Sequence, residues 1–459
     1  MANSTDHSQE PIIVQETPKL DLDLYMQNYK GRTRCERLIF IGACSVALRV
    51  EALKAAVSEA KQGKDVSRYK KACALLQQVA PSEPEAQVDS EWVSRVNHEN
   101  NSESKRLSDQ LSGYKHNLIK ESIRMGLDEL GKHLEYTGDL NGALEMYTKM
   151  RADVSTTKQL LETHMLISRI HLQNREWSTA LGTATKLTGQ VPDEKEFAPF
   201  VQWVRVVQAV CTLGTNNYEQ AAQHFLKVNS ESHNMYSNVA SPNDIAIYGG
   251  LLALATMDRD QLQNRVLDDQ NFRTFLELEP HIRRAIGMFV NSRFSSCLSI
   301  LEAYKPDYLL DIYLQPHVKA IYSLIRRKCI VQYMIPFSCV TMDRMQEQFG
   351  HDGESLEEEL AQMIRSGDFK ARINSVDRVL TRERTEPRMK MQAKGLDAIN
   401  MYEKEALERL RKMSIAAAEL EVRGMRKGSV GLPSFQNIHD KLINPAELMA
   451  SQEQGGGGM

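Results

Sequence analysis

What this chain has little of narrows the problem first. Its 459 residues include 25 Gly and 14 Pro, too few for a loop-rich protein and few enough to let helices run. Its seven cysteines, Cys35, Cys44, Cys73, Cys211, Cys297, Cys329 and Cys339, are odd in number and form no C-x-x-C pair. That spacing argues against a disulfide framework or a cysteine zinc site, and reads as small core residues in a reducing compartment. No charge of either sign dominates: 57 Lys and Arg face 60 Asp and Glu, a net −3, so no global field recruits nucleic acid or acidic lipid. No apolar run approaches a bilayer span, and the opening "MANSTDHSQEPIIVQETPKL" has no apolar core flanked by basic residues. The expectation is a cytosolic or nuclear protein without membrane contact.

Signatures of chemistry are also missing. There is no G-x-x-x-x-G-K-[ST] loop, no G-x-G-x-x-G after a strand, no H-E-x-x-H and no EF-hand loop. The twelve histidines never form H-x-H. His164 and His171, seven apart, read as surface or interface residues of a helix rather than metal ligands. No nucleophile sits in a recognisable elbow. The sequence therefore assigns no catalytic residue, no cofactor and no metal site.

Ala, Leu, Met, Gln and Glu are abundant, which points to a mainly α protein. A repeat runs through its middle. "GDLNGALEMYTKM" carries Leu140-x-x-Ala143 with Tyr147, "REWSTALGTATKL" carries Trp177-x-x-Ala180 with Ala184, and "NNYEQAAQHFLKV" carries Tyr218-x-x-Ala221 with Phe225. The large anchors are 37 and 41 residues apart, with outlying copies at Tyr69-x-x-Ala72 and Phe294-x-x-Cys297. Small residues let helices approach and large ones fill the neighbouring groove, so the pattern loosely resembles a tetratricopeptide-like solenoid. The repetition is expected to stop near 240, where Ser241, Pro242 and Asp244 spell a capping box before an apolar helix. Pro336 is expected to end the last helix of "YLQPHVKAIYSLIRRKCIVQYMIPF". Polar composition predicts disorder over 1–19, a linker or long loop over about 82–112 (a helix around Trp92 being the weaker option) and a flexible tail over 424–459.

"SLEEELAQMIRSGDFKARINSVDRVL", residues 355 to 380, has the grammar of a winged helix. Leu356, Leu360, Met363 and Ile364 recur at helical spacing, Ser366-Gly367-Asp368 breaks the helix, and Ile373, Val376, Val379 and Leu380 follow in a hairpin. Glu357, Glu358 and Glu359 occupy the helix that would face a DNA groove, where they would repel phosphates. Residues 365 to 394 carry nine Lys or Arg against four Asp or Glu, which leaves phosphate contact by the wing as an alternative. An exposed strand edge can instead pair with another subunit, with Arg372, Ile373, Asn374, Ser375, Arg378, Val379 and Leu380 as interface residues. Beyond the wing, Ala406, Leu410, Met413, Ala417 and Leu420 form an apolar seam on a long helix, suited to packing on other helices.

Four stretches carry a resemblance: "LDLDLYMQNYKGRTRCERLIFIG", "SPNDIAIYGGLLALATMDRDQL", "FLELEPHIRRAIGMFVNSRFSSCLSILE" and "YSLIRRKCIVQYMIPFSCVTMDRM". With the winged segment, they make the chain similar to the PCI-domain subunits of the COP9 signalosome, which have paralogues in the proteasome lid. The resemblance implies helical repeats over 20–216, a PCI domain over 217–384 with its winged helix at about 337–384, and a C-terminal bundle helix over 385–423. It further implies a non-catalytic scaffold in a complex that removes NEDD8 from cullin-RING ubiquitin ligases, the zinc chemistry belonging to another subunit. Partners would be other signalosome subunits, met through the winged-helix edge and the C-terminal helix. Contact of the N-terminal repeats with cullin-RING ligases stays open. Residence in nucleus and cytoplasm is implied by the same likeness. A proteasome-lid scaffold and a nucleic-acid-associated PCI protein are the alternatives.

Overall fold

One feature of the turns organises the helices. In a computed structural model describing residues 12–189, 197–230, 233–350, 356–382 and 387–418, the chain divides into two compact units near residue 383. The first unit is built of antiparallel helix pairs. Four of these pairs turn in the same way, through a left-handed residue placed two positions before the second helix. Gly138 (φ +99°), Arg175 (φ +60°), Asn216 (φ +63°) and Ser292 (φ +61°) hold that position. The next residue closes each turn with a backbone bond back to the first helix: Asp139 to Leu134 (2.9 Å), Glu176 to His171 (2.9 Å), Asn217 to Thr212 (3.0 Å) and Arg293 to Met288 (2.8 Å). This is the Schellman closure, which satisfies carbonyls that a helix end leaves bare.

The second helix of each pair opens on the large anchor read from the sequence. The helices are Leu140–Met150, Trp177–Thr188, Tyr218–Leu226 and Phe294–Leu309. Three residues on, Ala143, Ala180, Ala221 and Cys297 are fully buried, as close helix approach requires. Neighbouring helices also yield space at two places, the helix before Leu140–Met150 and the helix after Trp177–Thr188. A Cβ at Gly131 would stand 2.5 Å from the Tyr147 ring, and one at Gly214 would stand 2.5 Å from Trp177. The expectation that repetition stops near 240 is corrected here. Phe294-x-x-Cys297 belongs to a hairpin of the same design, Pro280–Val290 with Phe294–Leu309. Ser241 caps Pro242–Thr256 with the reciprocal Asp244 bond of a capping box, as the sequence predicted, and the helix before Pro336 ends at Met334.

Two further expectations change. The polar stretch about 82–112 is mostly helix, within Ser90–Asn117, capped by Asp89 accepting from the Trp92 amide. Its buried stripe is Trp92, Val96, Leu107 and Leu111, and polar contacts fill the gap between them. Asn100 Nδ2 donates to Lys64 O (2.9 Å), and Ser104 Oγ meets His133 Nε2 at 2.9 Å. A stripe interrupted by polar residues reads as a linker in sequence. Within 1–19, the residues from 12 on are ordered: Val14 is buried and bonded to Cys44 and Val46, and Lys19 N donates to Asp307 Oδ1 at 2.8 Å. Residues 1–11 and the tail 424–459 lie outside the described residues. One buried cluster runs from Leu161 to Leu380, across residues 216 and 217.

The N-terminal helices join this body through a buried ion network. Arg37, on helix Gly31–Cys44, is 1% exposed. Its Nη1 bonds Asp311 Oδ2 at 2.6 Å, and its Nη2 bonds Asp244 Oδ2 at 3.1 Å. Tyr29 lies under the guanidinium, 4.3 Å from ring centroid to Cζ, and donates its hydroxyl to Asp244 at 2.5 Å. Burial pushes the Asp244 carboxyl up, against the pull of Arg37. Removing the guanidinium leaves two buried carboxylates without it. Arg37→Met should cost about 3–5 kcal/mol in urea unfolding. Adding Asp244→Asn and Asp311→Asn to that variant should recover part of the loss, and equal stability of the single and triple variants would contradict the network's role.

A second prediction concerns acid. His317, buried at the start of Gln315–Met334, meets the Tyr218 hydroxyl through Nδ1 at 3.3 Å, and burial holds its imidazole down at about 4. A lowered folded value means stability is fully present above the unfolded value near 6.5 and is lost as pH falls toward 4. Across that window the unfolded chain binds the proton, weakening folding by about tenfold per pH unit. Unfolding titrations at pH 7.5, 6 and 5 should show this fall, and His317→Gln should lessen it, leaving the share of His281, which burial also holds at about 4.

Candidate functional site: the winged helix and the C-terminal helix

The winged helix is assembled from β1 (Cys339–Thr341), helix Met342–Phe349, helix Leu356–Ser366, β2 (Ala371–Asn374) and β3 (Val379–Arg382). Its strands are antiparallel in the order β1-β3-β2, with Val340 opposite Leu380 and Leu380 opposite Ile373. Val340, Met345, Phe349, Leu360, Met363 and Leu380 are buried beneath it. Gly367 (φ +84°) and the bond from Asp368 N to Met363 O end the second helix where Ser366-Gly367-Asp368 predicted a break.

The sheet order corrects part of the predicted edge. Val379 and Leu380 lie on the central strand, whose backbone is paired on both sides, so they cannot offer a free edge. Arg372, Ile373 and Asn374 lie on β2, an outer strand whose far side no strand of this sheet occupies. Ser375 and Arg378 belong to the four-residue turn between β2 and β3, with Arg378 left-handed (φ +52°). Val376, one of the apolar positions read in the hairpin, is 92% exposed at that turn. Alternation cannot be read through a turn of this length.

The acidic helix divides its carboxylates. Glu359 turns inward and grips Arg326 with both oxygens (2.9 and 3.1 Å to Nε), while Arg326 also holds Phe349 O at 2.6 Å. Glu357 and Glu358 stay exposed on the face a DNA reader would present. Two cations of the wing are engaged locally. Arg378 lies 3.5 Å from Asp343, and Arg382 donates to Ile335 O at 3.0 Å. The arrangement favours packing over groove reading.

The second unit's described part is one helix, Pro387–Ala417, of 31 residues. The seam residues Leu410 and Met413 are 58% and 68% exposed, Ala417 is exposed and Ala406 is half-buried. Leu420 lies outside the described residues. The seam is longer than first read. Leu396, Ile399 and Tyr402 are also exposed and precede Ala406 at spacings of three, three and four. That continuation was visible in the helical spacing and was missed because the reading started at residue 406.

Among the described residues there is no group of three or more His, Cys, Asp or Glu placed to hold a metal ion, and no helix is long and apolar enough to cross a membrane. Cys35, Cys44, Cys73, Cys211, Cys297 and Cys329 are buried, and Cys339 is exposed on β1. His164 is buried and His171 pairs with Glu176 at 2.8 Å.

Comparison with known proteins gives this geometry a family. A family model described as 26S proteasome subunit RPN7 matches residues 89–265, and the PCI domain matches residues 301–384. COP9 signalosome complex subunit 1 of Neurospora crassa is 48% identical over 420 residues, covering 91% of this chain and 95% of that protein. Its counterpart in Arabidopsis thaliana is 34% identical over 429 residues, covering 92% and 95%. The 26S proteasome non-ATPase regulatory subunit 6 of rice is 25% identical over 187 residues, covering 40% and 47%. The likeness to the first two runs from the N-terminal hairpins through the winged helix, and the chain belongs to the COP9 signalosome subunit 1 family of PCI-domain proteins.

Proposed function

We propose that the chain is a non-catalytic scaffold subunit of a COP9 signalosome, the assembly that removes NEDD8 from cullin-RING ubiquitin ligases. The observation that carries this reading is the identity with signalosome subunit 1 proteins over nine-tenths of the chain. The winged helix supports it, because its exposed carboxylates suit protein contacts better than nucleic acid. On this reading the zinc-dependent step belongs to another subunit, and the complex works in both nucleus and cytoplasm. The outer strand β2 pairs with a neighbouring winged helix, and the seam of Pro387–Ala417 packs among helices of other subunits. Affinity purification from native extract tests the reading. A cullin-associated complex should be recovered, and proteasome ATPases in its place would assign the chain to the lid.

The seam yields a quantitative expectation. Burying a Leu or Met side chain contributes about 1.5–3 kcal/mol, so losing two costs roughly 3–6 kcal/mol of assembly energy. That weakens association by about a hundredfold to ten-thousandfold. Leu410→Asp with Met413→Asp should give a chain with unchanged circular dichroism and melting of its main transition that no longer co-migrates with the complex. Normal co-migration would refute the seam's role.

A further inference from the structure

The N-terminal hairpins enclose a cleft of roughly 530 Å³ that none of the surfaces above uses. One wall is formed by Arg32, Lys64 and Arg68, and the other by Lys132, Tyr136 and Arg169. Five cations line it against three carboxylates, Glu59, Asp65 and Glu135. Each of the three carboxylates already has partners, and Asp128, outside the lining, holds Lys132 at 2.6 Å. Glu59 pairs with Arg34 at 3.1 Å, and Asp65 spends Oδ1 capping its own helix at the Arg68 amide (3.0 Å). Asp65 Oδ2 then stands 3.6 Å from Arg32 and 3.8 Å from Arg68, beyond a good hydrogen bond. Glu36, outside the lining, is shared by the same two arginines at 3.2 and 2.6 Å. Arg169 holds Glu135 at 2.6 Å through Nη2, while its Nε is buried with no hydrogen-bond partner. Burial, and then the neighbouring Arg68 charge, push the Arg32 guanidinium down, against the pull of Glu36 and Asp65.

Guanidinium forks that face a cleft with donors to spare match the oxygens of a phosphoryl group, and the volume lies within the range of ligand pockets. We propose that this cleft binds a phosphoryl group, held by Arg32, Arg68 and Arg169 with Lys64 and Lys132 at its rim. Tyr136, 54% exposed beside them, offers a face for the carrier of the phosphate. The site lies between two separately packed clusters, one running from Val14 to Val96 with Leu310 and the other from Leu107 to Ile170. Arg32 Nη1 already reaches across to Glu135 O at 3.3 Å. A bound phosphate adds to that bridge and stiffens the joint between the clusters.

Calorimetric titration of the full chain tests this, with pyrophosphate and with a phosphoserine peptide beside its unphosphorylated twin. Saturable binding of at least one phosphate probe is expected, weakened by raising salt from about 50 to about 500 mM. Lys64→Glu with Lys132→Glu should weaken it by about tenfold or more. Lys132→Glu alone, at a side chain 60% exposed, serves where the pair disturbs folding. Preference for the phosphopeptide over its twin assigns the phosphate to a modified side chain, and binding of pyrophosphate alone assigns it to a free small molecule. No saturable binding of either probe at millimolar concentration, or binding indifferent to the lysine variants, overturns the proposal.

Discussion

A guanidinium taken out of water must carry its counter-charges with it, and Arg37 takes them from two remote places. Asp244 is 207 residues away and Asp311 is 274. Its planar fork fixes where both carboxylates stand, and with them the start of Pro242–Thr256 and the approach to Gln315–Met334. Two carboxylates around one cation leave an excess negative charge, which the structure spreads. Tyr29 donates its hydroxyl to Asp244, the Ser241 amide donates to it at 2.9 Å, and Leu314 N donates to Asp311 at 2.8 Å. Such a network does little to raise stability over an apolar core of the same volume, but it penalises every arrangement that separates its members. The N-terminal helices therefore have one seat on the central body. Gln315 Nε2 reinforces it by donating to Ile12 O at 3.2 Å.

From that seat the solenoid grows by repetition of one turn. A left-handed residue, a Schellman bond, a large side chain opening the next helix and a small one three residues later recur four times. Each part supports the next: the turn sets the angle of the hairpin, and the small residue permits the approach that the angle demands. The last copy stands at Ser292, inside the body that leads into the winged helix, so repeats and PCI module share one continuous core.

Much of this was legible in sequence because it is local. The anchors at Leu140, Trp177 and Tyr218, the capping box at Ser241 and the break at Gly367 each depend on residues within one turn of each other. Ser292 and Arg175 hid because a left-handed position announces itself only when Gly or Asn fills it. Helix Ser90–Asn117 hid because polar contacts with Lys64 and His133 replace apolar residues along its middle. Arg37 gave no sign at all: in "GRTRCERLIF" nothing local distinguishes it from Arg32 or Arg34. At the candidate site, sequence found the strands of the wing but not their order, so Val379 and Leu380 were placed on an edge although hydrogen bonds claim them from both sides. Strand order is a non-local property, and spacing does not encode it.

The two proposed assembly surfaces differ in what they can contribute. A four-residue edge such as β2 supplies only a few backbone hydrogen bonds to a partner, each worth about 0.5–1.5 kcal/mol net. Those bonds are directional, so they fix register and orientation. A helix of 31 residues extends about 46 Å, and its seam exposes Leu396, Ile399, Tyr402, Leu410 and Met413. At about 1.5–3 kcal/mol for each large apolar side chain covered, that seam outweighs the strand edge several-fold. On the proposed scaffold reading, affinity for the complex resides in the helix, and orientation within it in the wing. Alone in water, a helix with so much apolar surface exposed gains little from propensity, since most helical stability comes from packing an amphipathic face. On the same reading, covering the seam orders the helix and seats the subunit in one step.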